Sequence, residues 1–196
     1  MIDFFIGLFM ASFLIVLFSG RLYRLIFWYA FNSLALGVIT ILVGVEHIDN
    51  ALVISGGLTL ILKAGVIPFV LKNISQRFNL IREINPTVPI HYSIILIPAI
   101  IIFTLYLAEP MSSMIGVNSN YIAISISSFF LALILMIEHK SVAPKIIAFL
   151  MMENALFLLG TTATKGMPMF VELGIFFDVM MAIVIINLLF KEEHVK

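Results

Sequence analysis

The chain has 196 residues, of which 62% are hydrophobic and 11% charged, and its mean hydropathy is +1.18. A soluble domain carries about 25% charged residues, so this composition excludes a soluble surface, and it equally excludes a disordered chain. The net charge of zero gives no basis for a nucleic-acid partner, and the absence of cysteine removes disulfides, thiolate metal sites, iron–sulfur ligation and a Cys nucleophile from this chain.

Seven apolar segments follow one another, at about 2–19, 25–45, 51–71, 90–108, 119–137, 143–162 and 169–190. Each is long enough to cross a hydrocarbon core of about 30 Å at 1.5 Å per residue. The bilayer core offers the backbone no water, so each crossing is expected to be a helix. The expected fold is therefore all-α: an integral membrane protein with seven transmembrane helices in one domain, 1–196. Its first run is expected to stay on the chain and not to be a cleaved leader.

The connectors alternate in charge. Arg21 and Arg24, then Lys72, Arg77 and Arg82, then Lys140 and Lys145, and finally Lys191 and Lys196 all fall on one side. The other side has only Lys165, alongside Glu46, His47, Asp49 and Glu109. The positive-inside rule then places the N-terminus outside and the C-terminus in the cytoplasm, as an odd number of crossings requires. Between the third and fourth segments, Ile74, Phe78 and Ile81 share helical spacing before Pro86 and Pro89. That stretch reads either as a short amphipathic surface helix or as a polar loop. Residues 109–118, with Pro110 and Gly116, read as a flexible connector. Trp28 and Tyr29 fit an interfacial belt.

A weak internal repeat sets RLIFWYAFNSL (24–34) against KIIAFLMMENA (145–155) without a gap. It pairs Arg24 with Lys145 and Asn32 with Glu153.

Ionisable residues near mid-bilayer are functional candidates, because each costs about 2.5–3.5 kcal/mol to insert. Lys63, Glu153 and Asp178 lie near the middle of the third, sixth and seventh segments, while Glu172 lies near the outer end of the seventh. Ser55, Thr59 and Lys63 repeat every four residues and share one face. Gly56 and Gly57 thin that region for a close neighbour. Pro68 cannot donate to the carbonyl of Ala64, so a kink is expected just past the lysine. In the sixth segment Glu153 is followed by Asn154. Burial disfavours the charged form of either group and an opposite charge favours it, so a buried Lys–Glu pair can exchange a proton when one partner moves. The plainer reading of such a pair is an ion pair that only fixes packing. Of the histidines, His47, His91, His139 and His194 all fall near membrane edges; His91 and His139 share a side, but nothing else points to a haem.

KAGVIPFVLKNI (63–74), FLMMENALFLLG (149–160) and VELGIFFDVMMAIVIINLL (171–189) resemble component E of the hydrogenase-4 and formate hydrogenlyase family. The resemblance runs over essentially the whole chain. Residues 119–190 are also similar to the three-helix subunit of respiratory complex I called subunit K, or 4L, leaving four helices in 1–108. In that subunit two helices each carry a mid-membrane glutamate on a proton pathway. Glu153 matches the first; Asp178 matches the second in position but is Asp, and Glu172 is its rival.

The resemblance implies a non-redox subunit in the membrane arm of an energy-converting oxidoreductase of a prokaryotic cytoplasmic membrane. Its partners would be antiporter-like membrane subunits, a membrane anchor subunit and peripheral redox subunits. Nickel–iron and iron–sulfur centres, or other redox cofactors, would belong to those partners and not to this chain. The implied function is proton or sodium translocation. Glu153 and Asp178 would be carriers, Lys63 their charge partner or a relay station, Glu172 an entry or exit group, and Ser55, Thr59, Asn154 and Asn32 a supporting polar face. Two other readings stay open: a structural adaptor that conducts nothing, and a free-standing secondary transporter.

Overall fold

The computed structural model describes residues 1–77, 90–116 and 118–163, and these are nearly all helical. In chain order they form α1 (Ile2–Leu17), α2 (Leu22–Glu46), α3 (Asn50–Ile61), a π-helical turn (Leu62–Val66), α4 (Ile67–Arg77), α5 (Ile90–Ile115), α6 (Ser119–Glu138) and α7 (Val142–Ala163). The stretch α3–π–α4 is one rod. Five rods are long and apolar enough to cross a membrane: α2, α3–π–α4, α5, α6 and α7. At 16 residues, α1 is apolar but shorter. The seventh segment, with Glu172 and Asp178, lies outside the described residues, as does most of the stretch proposed as an amphipathic surface helix.

Helix ends follow local chemistry. The Asp49 carboxylate accepts from the backbone N–H of Ala51 at 2.9 Å and caps α3. Asn118 caps α6 in the same way through Asn120 N–H at 3.0 Å. The connector expected at 109–118 is instead mostly helix, because α5 runs on through Pro98 and Pro110 to Ile115. Proline is tolerated in such apolar helices when neighbouring groups take up the freed carbonyls. What ends α5 is Gly116, whose φ of +71° suits a glycine C-cap and whose N–H bonds the Ser112 carbonyl at 2.8 Å.

Among the described residues, the centre of the bundle is four helices. α1 packs on α2 and α6, and α7 packs on α2 and α6. The rod α3–π–α4 flanks this centre against α2, and α5 flanks it against α6. The core is built from Phe9, Phe13, Tyr29, Leu36, Leu131 and Met151. Tyr29 is fully buried there and is not part of an interfacial belt. Its side chain is turned into the shared core, and that decides its environment more than its distance from the helix end does. The α5 helix is peripheral: only 17% of its apolar window is buried, against 56% for α2 and α7.

The approach of α2 and α3 depends on two glycines that face each other. A Cβ on Gly56 would lie 2.6 Å from Ile41 Cγ1 and 2.9 Å from the Gly37 carbonyl oxygen. A Cβ on Gly37 would lie 2.7 Å from Leu60 Cδ2. Gly57, read alongside Gly56 from the sequence, has no described atom within 4 Å of such a Cβ. Adjacent residues point about 100° apart around a helix, so only one of the two can face α2.

Candidate functional site

Lys63 and Glu153 meet in the interior. Lys63 Nζ lies 3.0 Å from Glu153 Oε1, across 90 residues of sequence. Their side chains are 2% and 6% exposed. Lys63 sits midway along the rod α3–π–α4, and Glu153 midway along α7. The Phe157 ring, one turn further along α7, has its centroid 5.7 Å from the ammonium and adds a cation–π contact.

The backbone around the lysine is irregular for a reason visible in the sequence. Pro68 has no N–H to give Ala64, so regular α-helical bonding fails there. The chain responds with a π turn over Leu62–Val66, in which the Ile67 N–H reaches back to the Leu62 carbonyl. The expected irregularity is therefore present, as a widened turn that contains Lys63. Gly65 lies within the turn, and a Cβ there would meet nothing nearer than the Leu60 carbonyl at 3.8 Å, an ordinary contact, so the turn does not depend on a glycine at that position. Such single π turns concentrate at functional sites. Ser55 and Thr59, on the same face as Lys63, are buried.

One residue on from Glu153, a second polar assembly begins. Asn154 donates to Asn32 Oδ1 and to Ser33 Oγ, both at 2.9 Å. Asn32 in turn donates to Ser12 Oγ at 2.8 Å and to the Phe9 carbonyl at 3.3 Å. Ser12 donates to the same carbonyl at 2.6 Å. This seam ties α7 through α2 to α1. The gapless alignment paired Asn32 with Glu153; in space Asn32 bonds Asn154. Ser12 and Ser33 were not singled out from the sequence, because a serine in an apolar run gives no spacing signal.

A third polar point was also missed. Glu138, at the end of α6, is 3% exposed; one carboxylate oxygen accepts from Ser93 Oγ of α5. Its other oxygen has no hydrogen-bond partner among the described residues. Next to it, His139 is buried, with Nδ1 2.9 Å from the Leu135 carbonyl oxygen. His139 reads from the sequence as a membrane-edge residue and Glu138 carries no signal there; packing of α5 over α6 covers both. Towards the opposite end of α6, the Tyr121 hydroxyl donates to Asp3 Oδ1 at 2.6 Å and ties α6 to the start of α1.

Among the described residues, then, the structure joins Lys63 with Glu153 and Asn32 with Asn154. Glu172 and Asp178 lie outside the described residues.

Comparison with other proteins adds one relative. The chain is 28% identical over 185 residues to the uncharacterized protein Rv0085 of Mycobacterium tuberculosis (strain ATCC 25618 / H37Rv), covering 93% of this chain and 84% of that one. No family model matches the chain, and no solved structure matches it.

Proposed function

We propose that this chain is a non-redox membrane-arm subunit of a hydrogenase-4-like or complex-I-like oxidoreductase, and that it takes part in moving protons or sodium ions. The observation that carries the reading is the Lys63–Glu153 pair, 3.0 Å apart and buried midway along two helices. A pair held there only for packing adds little stability. A pair on an irregular turn has a use in coupling: when the ammonium moves away, the carboxylate's proton affinity rises, and when it returns a proton is released. Lys63 is the charge partner in this scheme and Glu153 the carrier. Asp178 is the next carrier, and Glu172 an entry or exit group with access to water. Redox chemistry belongs to nickel–iron, iron–sulfur or other centres of partner subunits.

The proposed arrangement has seven crossings in a prokaryotic cytoplasmic membrane, with the N-terminus outside and the C-terminus in the cytoplasm. The chain has no cysteine, so Leu80→Cys and Ile115→Cys report sidedness directly. They should react with an impermeant thiol reagent from opposite faces.

The function is tested in membrane vesicles carrying the assembled complex. Glu153→Gln and Asp178→Asn keep shape and hydrogen bonding but cannot titrate. Both should leave assembly and electron transfer in place and lower ion pumping per electron by more than half. Normal pumping in both variants would replace this reading with a structural adaptor. Robust ion flux through the isolated chain in liposomes would replace it with a secondary transporter.

A further inference from the structure

The connector between α1 and α2 holds a second feature, with no role in the pair chemistry. A cavity of about 300 Å³ is lined by Leu14, Ile15, Phe18, Ser19, Arg24 and Trp28. Three properties define what it takes. Ser19 is buried, and its Oγ has no hydrogen-bond partner among the described residues. A buried hydroxyl left in that state costs about 1–3 kcal/mol; its oxygen is sealed from solvent as it stands, so a ligand oxygen recovers that cost once the side chain turns into the cavity. Arg24 is exposed, and no described carboxylate pairs with it. The remaining wall is apolar: Leu14, Ile15 and Phe18 come from the end of α1 and its connector, and Trp28 from the first turns of α2. The Trp28 ring is steadied by edge contacts to Phe27 and Phe31, at 5.6 and 5.5 Å between centroids.

We infer that this cavity binds an anionic phospholipid, with Arg24 and Ser19 on the phosphate and Leu14, Ile15, Phe18 and Trp28 along the start of an acyl chain. The guanidinium and hydroxyl need an oxyanion. The apolar wall, set at the ends of two apolar helices, needs an alkyl chain attached to it. Basic pockets between helices at a membrane edge suit such headgroups, and Trp suits that depth. A free phosphate would satisfy the polar half and leave the apolar wall bare. The inference stands independently of the proposed ion translocation.

Trp28 is the single tryptophan of the chain, so its fluorescence reports the site. The full chain is reconstituted in phosphatidylcholine vesicles containing either brominated phosphatidylglycerol or brominated phosphatidylcholine as quencher. Brominated phosphatidylglycerol should associate about fivefold more strongly, the worth of one basic side chain near the surface. Arg24→Gln should bring the ratio near one, while Arg24→Lys, which keeps the charge and guards against a folding artefact, should retain most of it. Ser19→Ala should weaken quenching by both brominated lipids about twofold and leave their ratio unchanged, because both carry the phosphodiester. Arg21→Gln, outside the lining, should leave most of that ratio. Equal quenching by the two lipids would overturn the inference, as would selectivity unchanged by Arg24→Gln. Selectivity abolished by millimolar inorganic phosphate at constant ionic strength would make free phosphate the ligand and overturn the lipid assignment; persistence of selectivity sustains it.

Discussion

Two neighbouring residues on α7 lead into different kinds of polar interior. Glu153 meets a lysine on a widened π turn, where the chain has given up regular bonding. Asn154 meets Asn32 and Ser33 on α2, a helix with no such irregularity. The first region holds ionisable groups. The second holds amides and hydroxyls, which bond in fixed directions and do not titrate in the physiological range. On the proposed function the difference is a division of labour: proton chemistry belongs where backbone geometry is loose, and registration of the helices belongs where it is regular. Each prediction below tests one side of that division.

The largest effect is expected at the pair itself. Removing one partner of a buried ion pair leaves the other charge uncompensated and typically costs about 3–5 kcal/mol. Lys63→Met and Glu153→Gln should each lower the stability of the purified chain by about 3 kcal/mol. The double variant should lose less than the sum, since no charge is left buried at the site. Equilibrium unfolding in detergent, run as a double-mutant cycle, reads this directly. Strict additivity would mean that the contact is not coupled, and would remove the pair from the comparison.

The next effect concerns what holds the lysine-bearing rod in place. Gly56→Ala drives a Cβ to 2.6 Å from Ile41 Cγ1 and 2.9 Å from the Gly37 carbonyl oxygen. Backbone must shift to admit it, at a cost of about 1–3 kcal/mol. Because α3 continues through the π turn, the same shift should disturb Lys63, so pumping and stability should fall together. Gly57→Ala is the control. It meets no described atom within 4 Å, and replacing a helical glycine with alanine adds about 0.5–1 kcal/mol of stability. A large loss from Gly57→Ala in the isolated chain would show that the two glycines have exchanged roles.

These residues also show what the sequence can carry. The helical class and six of the segments are legible in the pattern of apolar runs, and α2, α6 and α7 match their expected spans to within three residues. The disruption near Lys63 follows from Pro68 alone, since a missing N–H has only local consequences. Pro110 misled for the same reason: local propensity marks a break, whereas the helix continues until Gly116 supplies a left-handed cap. At the site, Lys63, Glu153, Asn32 and Asn154 stand out because polar groups are conspicuous in apolar runs. Their partners are not legible. Glu153 and Asn154 are adjacent in sequence, and only the placing of both α7 and the rod against α2 sends one to Lys63 and the other to Asn32. Burial of Glu138 and His139 depends similarly on α5 lying over α6, which no local pattern encodes.

The smallest effect is expected in the amide seam, and it completes the comparison. Asn154→Leu removes the donor to Asn32 Oδ1 and to Ser33 Oγ, both 2.9 Å away in the native chain. Hydrogen bonds between helices in a membrane are worth about 0.6 kcal/mol each, with values to about 1.7. The loss should therefore be about 1 kcal/mol, well below that of the ion pair. Asn32→Leu should behave similarly from the other side of the contact, and it leaves the α7 chain untouched. Neither change removes a titratable group, so ion pumping per assembled complex should stay near the native value in both. The signatures thus differ: Glu153→Gln loses pumping as well as stability, and Asn154→Leu loses only stability. Were Asn32→Leu to depress pumping as far as Glu153→Gln does, the seam would belong to the ion path, because that substitution cannot act by shifting the neighbouring carboxylate along α7. The division between a titrating region and a registering one would then fail.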